Sequence, residues 1–172
     1  MEGDRRSAFL EDVSRHQGLI HKICRLYFHE PAEREDAFQD ILLNAWRSYP
    51  SFAGRSAFST WLYRVALNTA LMRLRAARPE RRNMAPGAAE KAEKVAVPAG
   101  ETAGDDIRAL RRAVESLDDL EKSVILLHLE DLGYREIAEI TGLTENHVGV
   151  KLNRIKAKLR ERLSAPEIEH GR

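Results

Sequence analysis

The sequence predicts an all-α protein of two small helical domains joined by a flexible linker, with a helix-turn-helix in the second domain. Ala, Leu, Arg and Glu dominate the 172 residues and only 6% are aromatic, which favours helices over sheet. Apolar residues recur at intervals of three and four, the period of an amphipathic helix. Residues 79–104 interrupt this period with Pro, Gly and Ala, as a linker between domains 1–78 and 105–172 would.

Composition excludes several kinds of site. The single cysteine, Cys24, rules out an internal disulfide and a zinc site built from thiolates of one chain, and we expect it to be a small core residue. His16, His21 and His29 lack the spacing of a metal-binding helix face, so we expect neither a metal nor another cofactor. No apolar run approaches a membrane span, and the charged start MEGDRR lacks a signal core. We therefore expect a cytoplasmic protein without membrane insertion of its own.

Two helices are predicted at the start of the first domain. The first covers residues 5–30, and its apolar stripe is Leu19, Ile23 and Leu26 or Tyr27. The second covers residues 32–49. Its expected buried side is Ala37, Ile41, Leu42, Ala45 and Trp46.

The first half of the second helix is acidic, with a net charge of −4 between Glu30 and Asp40. Acids in a first helical turn complement the helix dipole, which explains part of this charge. Asp36 and Asp40 lie one turn apart, but no nearby His, Cys or phosphate loop completes a catalytic site. A partner-docking surface is the better interpretation. Its candidate residues are Asp36, Gln39, Asp40, Asn44 and Arg47.

An aromatic loop and an arginine-rich helix follow. Loop residues 48–58 include Tyr49, Phe52 and Phe58, which can anchor the loop to the core or stack on unpaired bases. A helix is predicted from Ser59 or Thr60 to Arg78, with Trp61, Val65 and Met72 facing inward and Arg64, Asn68 and Arg75 elsewhere. Seven arginines between residues 55 and 82 meet one acid, a net charge of +6. This combination favours binding to a nucleic-acid strand.

The second domain begins with two further predicted helices. The first runs from Asp105 to Ser116, with a stripe at Ile107, Leu110, Val114 and Leu117. Asp118 is the expected N-cap of the next helix, and Gly133 its expected end. The expected buried residues of that helix are Val124, Leu127 and Leu129.

Residues 133–160 have the pattern of a helix-turn-helix. A short apolar helix is broken at Gly142, and Thr144 is a natural N-cap for the next helix. That helix carries a stripe at Val148, Leu152, Ile155 and Leu159, and residues 145–162 hold six Lys or Arg against two Glu. The pattern alone also fits a structural helix pair with a solvated basic face. The basic flank beside this turn favours DNA binding through the major groove.

Taken together, these blocks resemble a bacterial RNA polymerase sigma factor of the extracytoplasmic-function (ECF) group. In the first domain the resemblance is carried by EDAFQDILLNAW and FSTWLYRVALNTALMRLR, and in the second by LDDLEKSVILLHLEDLGYREIAEITGLTENHVGVKLNRIKAKLRERL. It covers roughly residues 10–78 and 105–163. Small DNA-binding regulators share the second block but lack the first.

The resemblance implies a function and a set of roles. Such proteins are not enzymes by themselves; they bind core RNA polymerase and direct it to promoters, and an anti-sigma factor often holds them inactive. Docking on the polymerase would use Asp36, Gln39, Asp40, Asn44 and Trp46. The melted minus-ten element would be bound by Phe52, Arg55, Phe58, Trp61, Tyr63, Arg64, Asn68 and Arg75. The duplex minus-thirty-five element would be bound by Thr144, Glu145, Asn146, His147, Lys151, Arg154 and Lys158, with residues 145–147 nearest the base edges.

Two positions depart from the family pattern: Gly149 stands where many members carry Lys, and Leu67 where many carry Arg. A Gly inside a helix costs roughly 1 kcal/mol relative to Ala. Two other functions are alternatives. One is a free-standing helix-turn-helix regulator with the first domain as a sensor or dimerisation domain, and the other is a helical adaptor that sequesters another protein. Neither requires an acidic docking helix beside an aromatic and arginine-rich block.

Overall fold

The structure is a computed structural model that describes residues 2–82 and 104–164. All regular structure in these residues is helical, so the all-α prediction is confirmed. Two compact units divide between Val97 and Pro98. Most of the predicted linker lies outside the described residues. The first unit contains α1 (Glu2–Tyr27), α2 (Pro31–Ser48), a 3-10 turn (Tyr49–Ser51) and α3 (Phe58–Arg82); the second contains α4 (Asp105–Glu115), α5 (Asp119–Leu129), α6 (Tyr134–Thr141) and α7 (Glu145–Ser164).

In the first unit each of the three long helices packs against the other two. Their apolar stripes meet in a core whose largest members, Ile20, Ile23, Ile41 and Leu62, are fully buried. Burying such a side chain contributes about 1.5–3 kcal/mol relative to leaving it exposed. Arg34 Nε donates to the Phe28 carbonyl at 2.8 Å, which closes the end of α1 and fixes its turn into α2.

Cys24 is buried in this core, as predicted. Burial raises the pKa of its thiol from the ordinary 9.0 to about 11, while the charges of Arg34 and Arg73 oppose the shift. The folded state therefore favours the neutral thiol, and the reactive thiolate forms only in strong alkali. As pH rises from 9.0 towards about 11 the unfolded thiol ionises first, so this group favours unfolding in that range.

We expect Cys24 to resist alkylation in the native protein at neutral pH, because only the thiolate is an effective nucleophile. Iodoacetamide labelling followed by mass spectrometry should be slow until denaturant unfolds the first unit. The same reaction in denaturant is the control for reagent activity. Rapid stoichiometric labelling of the folded chain would contradict the assignment of Cys24 to the core.

The second unit is built around α7, which packs against α4, α5 and α6. Asp118 N-caps α5, as predicted: the Glu121 backbone N–H donates to Asp118 Oδ1 at 2.7 Å, and the Asp118 N–H donates to Glu121 Oε2 at 3.1 Å. This reciprocal capping box satisfies two backbone donors that the helix itself leaves unpaired. Gly133 was wrongly assigned as the end of this helix. The helix ends at Leu129, and Gly133 N-caps α6 instead.

Several apolar side chains predicted to be inward are exposed within their unit. Met72 is 67% exposed, Ile107 57%, Leu110 47% and Leu129 69%. Periodicity identifies a stripe on a helix but not how far along the helix its neighbours reach. Leu117, the last residue of that predicted stripe, is buried as predicted, and Ala113 on α4 is buried as well. The departure at Leu67 has a simple explanation, because its side chain is buried.

Candidate functional site

The polar face of α2 is joined to α3 by direct contacts. Arg73 bridges two of the predicted docking residues: its Nη2 donates to Asp36 Oδ2 at 3.1 Å and its Nη1 contacts Asp40 Oδ2. One turn further along α2, Asn44 Nδ2 donates to Thr69 Oγ1 at 3.2 Å. Three predicted docking residues therefore line the seam between the two helices.

Two more predicted docking residues, Gln39 and Trp46, line a groove of about 780 Å³ between α1 and α2. The remaining lining is mostly apolar and consists of Gly3, Arg6, Phe9, Leu10, Val13, Leu42 and Leu43. Leu10 and Leu43 are more than half exposed, and exposed apolar side chains along a groove are typical of a surface that receives a partner helix. Neither leucine was predicted as a docking residue, although Leu43 is an apolar residue four positions after Gln39 on a polar helix face.

Tyr49 lies at the centre of a continuous aromatic cluster behind the loop. Its ring centroid is 5.1 Å from that of Phe9, 6.2 Å from those of Phe52 and Phe58, and 6.1 Å from that of Trp61. The Tyr49 hydroxyl donates to Asp12 Oδ2 at 3.3 Å, and burial, together with that carboxylate, raises its pKa. The protonated phenol thus ties the loop to α1.

The predicted minus-ten residues separate into two groups. Arg55, Arg64, Asn68 and Arg75 are exposed, and the last three form a stripe along α3. Phe52 and Phe58 are half-buried in the aromatic cluster, while Trp61 and Tyr63 are 5% and 4% exposed. Trp61 is covered because the loop folds over this edge of α3, with the Phe52 and Trp61 centroids 5.1 Å apart. Met72, three turns further along, has no such cover, which explains why it is exposed.

The helix-turn-helix has the predicted geometry. Gly142 adopts a left-handed conformation with φ of 75°, and its N–H donates to the Ala138 carbonyl at 2.9 Å. Thr144 caps α7, since its Oγ1 accepts from the His147 N–H at 3.3 Å. The stripe residues Val148, Leu152 and Ile155 are fully buried. The opposite side of α7 leaves Glu145, Asn146, His147 and Arg154 exposed, and Lys151 half-exposed.

Lys158 forms an ion pair with a residue 37 positions earlier in the chain. Its Nζ lies 2.5 Å from Glu121 Oε1. The Glu121 side chain is 7% exposed, and its other oxygen belongs to the capping box of α5. Lys158 therefore supplies the countercharge of a buried carboxylate, and a phosphate contact by Lys158 would compete with this pair.

We expect Lys158→Met to lower the free energy of unfolding of the second unit by about 1–2 kcal/mol, because it leaves a buried carboxylate without its charged partner. Urea denaturation followed by circular dichroism measures the change. Arg160→Met, an exposed position on the same helix, is the matched control and should leave stability nearly unchanged. Unchanged stability with a general loss of DNA affinity in Lys158→Met would instead establish a phosphate contact.

Gly149 on α7, which departs from the family pattern, lies beside the ring of Tyr134. A Cβ at this position would lie 3.4 Å from Tyr134 Cε2 and 3.9 Å from Cδ2. These are van der Waals contacts, so the space admits a methyl group. The Tyr134 ring covers the part of α7 that a larger side chain would otherwise cover.

We expect Gly149→Ala to raise the free energy of unfolding of the second unit by about 0.5–1 kcal/mol, since Ala has the higher helix propensity. Thermal denaturation measures this gain. Gly142→Ala is the opposite control, because its left-handed φ of 75° is strained for any residue with a Cβ. A loss of stability in Gly149→Ala would mean that the Tyr134 contact leaves no room for a methyl group.

The described residues contain neither a metal-binding cluster nor a membrane-spanning helix. Among residues 2–82 and 104–164, no three His, Cys, Asp or Glu side chains group closely enough to hold a metal ion. Within the same residues, none of the helices has the length and apolar character needed to span a bilayer.

Comparisons with known proteins agree with the geometry of both units. The chain matches Sigma-70 region 2 over residues 13–80 and Sigma-70, region 4 over residues 107–159. The ECF RNA polymerase sigma-E factor of Haemophilus influenzae is 34% identical over 149 residues, which cover 81% of this chain and 78% of that protein. The sigma-E factor of Escherichia coli K12 is 35% identical over 151 residues, covering 81% and 77%. The RNA polymerase sigma-H factor of Pseudomonas aeruginosa is 32% identical over 148 residues, covering 80% and 76%.

Two solved structures share the fold. The sigma factor RpoE in complex with the anti-sigma factor NepR from Bartonella quintana gives a TM-score of 0.72 at 19% identity, covering 93% of this chain and 99% of that one. CnrH in complex with the cytosolic domain of CnrY gives 0.64 at 24% identity, covering 94% and 91%. The family matches and the identities over most of each relative decide the assignment. The chain belongs to the extracytoplasmic-function group of the sigma-70 family of RNA polymerase sigma factors.

Proposed function

We propose that this chain is a transcription initiation factor that binds core RNA polymerase, directs it to specific promoters and helps to melt the minus-ten region. The observation that carries the proposal is the presence, in one chain, of a region 2 unit with an acidic helix and a region 4 unit with a capped, basic helix-turn-helix. The chain acts in the cytoplasm, is not an enzyme by itself and requires no cofactor of its own.

The polymerase would dock on α2. The carboxylates of Asp36 and Asp40 offer negative charge to a basic partner, and the groove beside Gln39 and Trp46 offers an apolar surface to a helix. Asn44 is exposed and extends the charged seam by one turn, where it donates to Thr69. The charged seam would orient the polymerase, and the apolar groove beside it would supply apolar area to bury on binding.

The melted strand of the minus-ten element would lie along α3. Arg55, Arg64 and Arg75 are exposed and suited to phosphates, and Asn68 on the same stripe can donate to and accept from a base edge. Phe52 and Phe58 are half-buried in a rigid cluster and would offer ring edges to an unstacked base. Trp61 and Tyr63 are buried and would support this surface without contacting the DNA.

The duplex minus-thirty-five element would be bound by α7. Glu145, Asn146 and His147 occupy the exposed first turn, where a recognition helix meets base edges, and Thr144 caps that turn. Lys151 and Arg154 follow one and two turns later and would contact phosphates. Lys158 would contribute to α7 through its pair with Glu121.

We also propose an anti-sigma partner, because both structural neighbours were solved in complexes and one names an anti-sigma factor. Exposed apolar side chains in both units, among them Leu10, Leu43, Ile107 and Leu110, are suitable contacts for such a partner.

The test is promoter-specific transcription in vitro. Purified chain and core polymerase together should yield transcripts from defined start sites on a genomic template library, and each alone should yield none. If the isolated chain bound a duplex operator tightly and added nothing to core polymerase, it would be a free-standing helix-turn-helix regulator and the proposal would fail.

A further inference from the structure

Arg73 lies in the seam between α2 and α3, beneath the two carboxylates assigned to polymerase docking. Its side chain is 31% exposed, whereas those of Asp36 and Asp40 are 64% and 47% exposed. The guanidinium is thus behind the acids, and the acids face solvent. One planar group contacts both of them across sequence separations of 37 and 33 residues.

Asp36 and Asp40 each contact Arg73 through only one carboxylate oxygen. Arg73 meets one oxygen of Asp36 and one oxygen of Asp40. The second oxygen of each carboxylate has no hydrogen-bond partner in residues 2–82 and 104–164. The two residues that carry these oxygens lie one helical turn apart, a rise of roughly 6 Å along the axis. They form a fixed pair of acceptors on the surface.

The seam is otherwise well suited to hold that orientation. Asn44 continues the row of Asp36 and Asp40 by one turn and is bonded to Thr69, which precedes Arg73 by one turn on α3. Two side chains of α3 therefore hold three side chains of α2. The exposed arginine stripe at Arg64 and Arg75 lies on roughly the opposite side of α3 at 100° per residue, so Arg73 is separated from the surface assigned to DNA.

We propose that Arg73 is a positioning residue for the polymerase-docking surface: it holds Asp36 and Asp40 so that their free oxygens meet a cationic surface of the polymerase. The inference rests on the proposed function, because it takes α2 as the docking helix. Fixing both carboxylates in the free protein removes an ordering cost that would otherwise arise on binding. The planar fork of Arg suits this geometry, and the point charge of Lys does not reproduce it.

The test measures the affinity of labelled full-length chain for core polymerase over a range of salt concentrations. We expect Arg73→Gln to weaken binding about fivefold or more at low salt and Arg73→Lys to restore part of the loss, since residues in one ion-pair network are energetically coupled. Arg15→Gln is the matched control. It removes an arginine from an exposed pair with Glu11 on α1, away from the seam, and should leave the affinity unchanged.

A double-mutant cycle separates positioning from stability. Asp36→Asn with Asp40→Asn should weaken binding, and adding Arg73→Gln to that variant should weaken it by less than about twofold. Binding of a single-stranded minus-ten oligonucleotide should be the same for Arg73→Gln and wild type. If Arg73→Gln does not fold, the affinity of Arg73→Lys and a double-mutant cycle made with Arg73→Lys decide the question.

Three outcomes would overturn the inference: unchanged affinity of Arg73→Gln, tighter binding by that variant, or additive losses in the cycle. Tighter binding would mean that Arg73 masks the carboxylates. In each case promoter-specific transcription by the wild-type chain would leave the proposed function standing. Absence of transcription, by contrast, would reject the proposed function itself.

Discussion

Replacing Lys151 and Arg154 together with Glu is expected to weaken binding to minus-thirty-five duplexes by about 10²-fold or more, for every promoter sequence. Each side chain is assigned a phosphate contact, and a charge-assisted hydrogen bond contributes about 1.5–3 kcal/mol. The salt dependence should change as well. The slope of log K against log salt should become less steep by about two, since two phosphates lose their protein cation. Fluorescence anisotropy with labelled duplexes measures both quantities.

The control for overall charge is Arg111→Glu, an exposed position on α4 of the same unit. It should change affinity by less than about threefold, because a single exposed charge with no assigned phosphate contact is screened by salt. Asn146→Ala and His147→Ala should alter the preference at particular bases and leave the salt slope unchanged. An equal, sequence-independent loss from these two variants would reject their role as base readers, and an unchanged slope in the double Glu variant would reject the phosphate contacts.

Replacing Trp61 with Ala is expected to lower the free energy of unfolding of the first unit by about 3–5 kcal/mol, as for other large core aromatics. The ring is 5% exposed and its centroid lies 5.1 Å from that of Phe52 and 5.3 Å from that of Phe58. Without it the loop loses its support on α3, so single-stranded minus-ten DNA should bind more weakly even where the unit is still folded. Urea denaturation followed by the fluorescence of Trp46, the other of the two tryptophans, measures the stability.

Trp61→Phe distinguishes support from direct contact. It keeps an aromatic ring in the cluster and should cost less than about 2 kcal/mol while retaining most of the oligonucleotide affinity. Trp46→Phe is the matched control at the α1 end of the cluster, where Trp46 packs on Phe9 with centroids 5.1 Å apart. If Trp61→Phe kept its stability but lost DNA binding, the indole would be a direct base contact.

Features that depend on neighbours in sequence were predictable. The capping box at Asp118 and Glu121, the turn at Gly142 and the cap at Thr144 each depend on residues within a few positions. The stripe at Val148, Leu152 and Ile155 was predictable for the same reason: helical periodicity is a local property. The family resemblance followed from the order of such local blocks.

Features that depend on residues distant in sequence were not predictable. Arg73 was counted among the strand-binding arginines, and Lys158 among the residues that bind the minus-thirty-five element. Nothing in their own segments identifies Asp36, Asp40 or Glu121 as partners. The prediction of burial was also wrong where no neighbouring element covers the helix. Met72 and Leu129 are exposed although each lies in an apolar pattern. The groove beside Leu43 exists only because α1 lies next to α2.

The sequence by itself determined the helices, most of their caps, the helix-turn-helix and the family, since these follow from backbone preferences and apolar spacing over a few turns. Only the tertiary structure decided which charged side chains are paired internally and which remain available to a partner. The physical reason is that a salt bridge or an aromatic contact requires two side chains to meet in space. Arg73 and Asp36 are 37 residues apart in the chain, and only the packing of α3 on α2 brings them together.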